Sequence, residues 1–119
     1  MSIERFGVGP RMSAAVVHRD TVYLAGQVAQ KAAGGSVGEQ TKEILEIIDS
    51  LLAQAGSNKK HLLSTTIYLS DIGAFAEMNA VWEAWVAHGH TPARATVEAK
   101  LAAPQFTVEI VCIAAVPFK

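Results

Sequence analysis

The chain has 119 residues, half of them hydrophobic and 18% charged, and ten Lys and Arg against eleven Asp and Glu leave a net charge of −1. That balance, with no basic block and no acidic tail, lacks the electrostatic footprint of a general nucleic-acid binder, and no apolar run approaches the ~20 residues of a membrane span. One cysteine, Cys112, excludes an internal disulfide.

This length suits one compact domain, residues 1–119. A domain of ~150 residues buries only about 70% of the surface its unfolded chain exposes, and a shorter one buries less. Part of the hydrocarbon therefore needs a second surface to cover it, and a homo-oligomer is the economical expectation. The stretch "MSIERFGVGP" is charged at Glu4 and Arg5 and lacks the apolar core of a signal peptide. A soluble, cytoplasmic protein is expected.

In chain order, "AAVVH" (14–18) and "TVYLAG" (21–26) are short β-type runs separated by "RD", the pattern of a hairpin. "QKAAGGSVGEQ" (30–40) is Gly-rich and predicts a loop. From Val37 to Ala55 the period becomes helical: Ile44, Ile48, Leu51, Leu52 and Ala55 recur on one side, with Glu39, Lys42, Glu43, Glu46 and Asp49 mostly on the other, before Gly56 stops the run. "HLLSTTIYLS" (61–70) reads as a strand, and Asp71 as the N-cap of a second helix. In that helix Phe75, Met78, Trp82 and Trp85 form one face, read as core, and "HGHTP" (88–92) ends it. Strands over 93–101 and 106–116 close the chain. The order is ββαβαββ, an α+β pattern with two helices on one face of a mixed sheet.

Alternation along the last two strands decides which side chains travel together. Arg94, Thr96 and Glu98 share one face of the first. In the second, Thr107, Glu109, Val111 and Ile113 oppose Val108, Ile110, Cys112 and Ala114. A carboxylate among apolar neighbours requires a partner, since desolvation disfavours its charge, and this makes Glu109 a candidate general acid or base. The same spacing fits a half-exposed strand residue or a structural ion pair. Arg94 can grip a substrate carboxylate with its planar fork, or it can pair structurally with Glu98, Glu109 or a neighbouring subunit. Gly26, at a strand end, allows a ligand to approach the backbone or simply makes a turn. His88 and His90 form no complete metal-ligand set, so no metal is expected. Cys112 reads as a small buried hydrophobe. "AAGGSVG" lacks the Gly-Lys-Ser/Thr that completes a phosphate loop.

Three stretches, "YLAGQVA", "MNAVWEAW" and "PARATVEAKLAAPQFTVEI", occur in this order along nearly the full length. Together they resemble the reactive intermediate deaminase A family (RidA, also called YjgF). The wording of "RMSAAVVH", "MNAVWEAWV" and "PARATVEAKLA" is nearer a less-studied branch than the best-known deaminases. The resemblance implies a chorismate-mutase-like fold and a homotrimer with ligand sites between subunits. It also implies hydrolysis of 2-enamine and 2-imine acids to 2-keto acids and ammonia, with no metal or organic cofactor. The partners are then a small carboxylate-bearing imine or keto acid and further copies of the chain, with neither nucleic acid nor membrane.

Residue by residue, the resemblance assigns Arg94 to the substrate carboxylate and Glu109 to the hydrolytic water. Thr96 stands where many members have cysteine, Gly26 where backbone lies beside the ligand, and Asn79 at a position near the site. One departure is Arg11–Met12 after "GP", where many deaminases have a tyrosine lining the pocket. Either Arg11 reshapes the cleft for a different acid or activity on small imines is reduced. A non-catalytic carboxylate or keto-acid sensor using the same cleft is the competing expectation. A holdase for unfolded chains would rest only on exposed apolar surface.

Overall fold

A computed structural model describes residues 2–117. Its elements are β1 (Ile3–Val8), β2 (Ser13–His18), β3 (Thr21–Leu24), α1 (Val37–Gln54), β4 (Leu62–Leu69), α2 (Phe75–Trp85), β5 (Ala93–Glu98) and β6 (Val108–Ala115). The strands form a six-stranded sheet in the order β1-β2-β3-β6-β4-β5. Only β4 and β5 pair in parallel, as the crossover through α2 between them demands.

Local chemistry explains most boundaries. Arg19 takes a left-handed φ of 59° in the two-residue β2–β3 turn, the geometry that suits a tight hairpin. Ser36 caps α1 in a reciprocal box, its Oγ accepting from Glu39 N–H at 3.1 Å while Glu39 accepts from Ser36 N–H at 3.3 Å. The helix gives way at Gly56, whose φ of +82° few other residues adopt. Asp71 departs from expectation: it caps a 3₁₀ turn at 72–74, accepting from Gly73 N–H at 2.8 Å, and α2 follows with no side-chain cap.

A further strand, β1, precedes the expected hairpin and makes the order βββαβαββ. It is an edge strand whose residues are exposed apart from half-buried Phe6, so no apolar alternation marks it in the sequence. β5 and β6 are shorter than expected, because 99–107 leave the sheet as a connection.

Both helices lie on one face. Ile44, Leu45, Ile48 and Leu52 of α1 and Met78 and Trp82 of α2 close over Val17, Leu24, Ile67, Leu69, Val108 and Ile110, all buried. Phe75, the first residue of the expected core stripe, is instead 42% exposed. On the other sheet face Tyr23 and Val97 are exposed, and Tyr68, Val111 and Ile113 are half-buried with no helix over them.

Candidate functional site

Arg94 leaves the edge strand β5 on the helix side, because its register partner Thr65 is a core-facing residue of β4. Its Nη1 donates to Asn79 Oδ1 at 2.7 Å. The guanidinium carbon sits 5.8 Å from the centre of the Phe75 ring and 5.4 Å from that of Trp82. Phe75, Asn79 and Trp82 fall at i, i+4 and i+7, so one stripe of α2 supplies both rings and the amide. That spacing was available in the sequence as a signal for the partner of Arg94, but the stripe reads there as core alone.

Among the described residues no carboxylate bonds Arg94. Its hydrogen bond goes to a neutral amide, and Glu98 on the same strand face accepts from Ile72 N–H at 3.0 Å instead. Burial lowers the guanidinium pKa from its ordinary value and the field of Glu83 partly restores it, so the group stays cationic. Beside it, the Thr96 hydroxyl is buried without a hydrogen-bond partner.

Glu109 occupies the opposite face. It pairs across the sheet with Tyr68, and residues of that set alternate with buried Val108 and Ile110. Its carboxylate rests on Gly26, where a Cβ would overlap it. The corner at Gly26 is fixed by the two-way backbone bridge between Gln27 and Ile110, at 2.9 and 3.1 Å, and by Gln27 Nε2 donating to Ala25 O at 2.9 Å. Glycine at this position leaves the carboxylate the room that a side chain would take. Arg11 is exposed in the β1–β2 turn. This is the same end of the sheet as Gly26, since Ala25 N–H bonds Ala14 O.

The expected residues thus form two groups within one chain: Arg94, Thr96 and Asn79 on the helix side of the edge strand, and Gly26 and Glu109 on the open face. A cleft of about 680 Å³ at the β5–β6 connection is lined by Ser70, Glu98, Lys100, Leu101, Pro104 and Phe106 among others, and neither Arg94 nor Glu109 lines it. His88 and His90 are exposed, and no group of three or more potential ligands that could hold a metal occurs among the described residues. Burial pushes the Cys112 thiol up to about 11, against a lowering contact from Thr65 Oγ1 at 3.5 Å.

A two-layer α+β protein with an aromatic-flanked arginine on an edge strand is the class these features define. The model of the family described as endoribonuclease L-PSP matches residues 4–116. A RutC family protein of Haemophilus influenzae is 46% identical, over 96% of this chain and 98% of that one. The RutC family protein YoaB of Escherichia coli is 42% identical, over 98% of this chain and 100% of its own. Among solved structures, a YjgF-family protein from Neisseria meningitidis has a TM-score of 0.93 at 49% identity, covering 97% of this chain and 95% of that chain. A YjgF-family protein from Mycobacterium tuberculosis has a TM-score of 0.86 at 28% identity, covering 97% and 100%. The chain belongs to the YjgF/RidA family, and its fold is the chorismate-mutase-like α+β fold of that family.

Proposed function

We propose that the protein hydrolyses small 2-imine and 2-enamine acids to 2-keto acids and ammonia, at sites formed where copies of the chain meet. The observation that carries this is the state of Arg94: a cation flanked by two rings and steadied by an amide, with no carboxylate bonded to it among the described residues. A guanidinium arranged this way suits an organic carboxylate, which accepts two parallel bonds from the fork.

The catalytic step needs a base, and Glu109 is the carboxylate the family resemblance assigns to it. In one chain it faces away from Arg94, so the proposal requires the partner subunit's Glu109 and Gly26 to face Arg94 across the open sheet face. Such an assembly, a trimer in this reading, also covers Tyr23, Val97, Val111 and Ile113. Glu109 takes a proton from water as its oxygen bonds to the imine carbon. It passes that proton to nitrogen to give the carbinolamine, then takes the hydroxyl proton and delivers it to the amine as the C–N bond breaks, so that ammonia leaves and the carbonyl of the keto acid forms. An imine carbon is already electrophilic, so fixed positioning of water and carboxylate supplies much of the acceleration.

The test generates 2-iminopropanoate in situ with an amino-acid oxidase and traps it with semicarbazide. The protein is expected to suppress trapping, and Arg94→Ala and Glu109→Gln are expected to lose that suppression. A second reading, a non-catalytic carboxylate sensor, is favoured by the separation of Arg94 from Glu109 within the chain. It predicts pyruvate binding that needs Arg94, with trapping unaffected by the wild-type protein.

A further inference from the structure

We infer that Gln40 is a positioning residue that sets Glu109 against Gly26, an assignment that rests on the hydrolytic reading above. Gln40 is a polar residue of α1 with no exposed surface. Its amide is spent on two segments of chain outside the helix. Nε2 donates to Gly35 O at 3.1 Å and to Gln105 O at 3.0 Å, and Oε1 accepts from Thr107 N–H at 3.0 Å.

Two segments therefore run together from Gly26 to Gly35 and from Gln105 to Ile110. The Gln27–Ile110 bridge closes them at one end. At the other end Gln40 closes them, with Gly34 N–H on Gln105 O at 2.9 Å in support. Glu109 and Gly26 lie at the bridged end, and Thr107, held by Gln40, is two residues from Glu109. The Thr107 hydroxyl is buried and unpartnered, so it does not anchor the strand there. The backbone is held by Gln40 and by Ser70 N–H on Thr107 O at 3.0 Å.

The Glu109 carboxylate lies where a Cβ on Gly26 would sit, so its position depends on the spacing of the two segments. A misplacement of about 1 Å in a reacting group costs on the order of 100-fold in rate. A change in the spacing of the segments therefore reaches the base while leaving Arg94, on a different strand and the other face, where it was. The signature of this role is a fall in kcat with KM held.

Gln40→Met keeps the length of the side chain and removes all three bonds. It is expected to lower kcat for 2-iminopropanoate about tenfold or more with KM within about twofold, since the carboxylate grip is untouched. Native-state hydrogen exchange is expected to quicken at the amides of Gln27, Thr107 and Ile110, with those of β5 unchanged. Ile48→Val, a core change on the same helix, controls for loss of stability and is expected to keep kcat. Gln40→Glu retains an acceptor for Thr107 N–H but cannot donate to both carbonyls when ionised, and its kcat is expected to lie between the two; it decides the matter should Gln40→Met not fold. Unchanged kcat, kcat and KM changing together, or an equal fall in kcat in Ile48→Val, overturns the assignment. A wild-type protein inactive on imines sinks the hydrolytic reading instead, and the exchange pattern then decides alone whether Gln40 holds the two segments in register.

Discussion

Asn79 is the side chain on which the geometry of Arg94 turns, because it supplies the hydrogen bond that fixes the guanidinium between Phe75 and Trp82. A hydrogen bond to a charged group contributes about 1.5–3 kcal/mol. Asn79→Ala is therefore expected to weaken pyruvate binding about tenfold or more by calorimetry, with the melting temperature little changed because Asn79 is only half-buried. Gly26 makes the complementary case on the open face. Gly26→Ala brings a Cβ into the Glu109 carboxylate, and the carboxylate must swing away. A fall in kcat on the order of 100-fold follows from that displacement, read by the semicarbazide assay beside a circular dichroism spectrum that stays native. Of these residues, the sequence pointed to Arg94, Thr96, Asn79, Gly26 and Glu109 through motif wording. Alternation correctly placed Arg94 with Thr96 and Glu109 with Val111 and Ile113. That the two sets face opposite ways is not legible there, since it depends on register with β4, whose Thr65 and Tyr68 lie about thirty and about forty residues before Arg94 and Glu109.

Elements legible in the sequence were those with a strong period or a stop residue. α1 announces itself through Ile44, Ile48 and Leu52 and through the Ser36–Glu39 cap, whereas β1 has nothing to bury and so no alternation to read. Buried Gln40 and Thr41 were missed because a polar residue on an apolar face is recognisable only once its partners are placed: Gly35, Gln105 and Thr107 for Gln40, and Val37 O at 2.7 Å for Thr41. The Gly-rich connection before α1 is held from outside in a similar way. Glu43 accepts backbone N–H bonds from Ala32 at 2.8 Å, Lys31 at 3.1 Å and Gln30 at 3.2 Å. The bonds from Ala32 and Lys31 do most to hold its pKa below the ordinary 4.5, against an opposing effect of burial. A carboxylate depressed on folding contributes stability that is complete above its unfolded value and is lost as pH falls through its folded one. Protection factors of the amides at 30–32 are thus expected to be level near neutrality and to decline below the ordinary carboxylate range. Glu43→Gln should remove that decline and lower protection at every pH. A flat profile in the wild-type protein would mean that the loop is held by something other than Glu43.

At the scale of the whole molecule the sheet separates Arg94 from Glu109, and the proposed activity then makes a quantitative prediction about mixing. If Arg94 of one protomer works with the partner subunit's Glu109, then Arg94→Ala and Glu109→Gln each disable every site in their own oligomers. Unfolded together and refolded at equal ratio, the two variants form hybrids in which some interfaces unite an intact Arg94 with an intact Glu109. For random assembly around a cyclic trimer each interface does so with probability about one quarter, so about a quarter of wild-type activity should return. Restoration requires exchange of subunits, so the variants mixed without refolding should recover activity only as fast as protomers exchange. Ile113→Lys offers an independent check, because Ile113 lies half-buried on the open face beside Tyr23 and Ser64. Placing an ammonium there makes association costly through desolvation. The variant should sediment as a folded monomer and lose imine hydrolysis while Arg94 and Glu109 remain intact. A monomer with full activity, or refolded mixtures that stay inactive, would place the working base on the same chain as Arg94, which the opposed faces of β5 and β6 do not permit without a rearranged sheet.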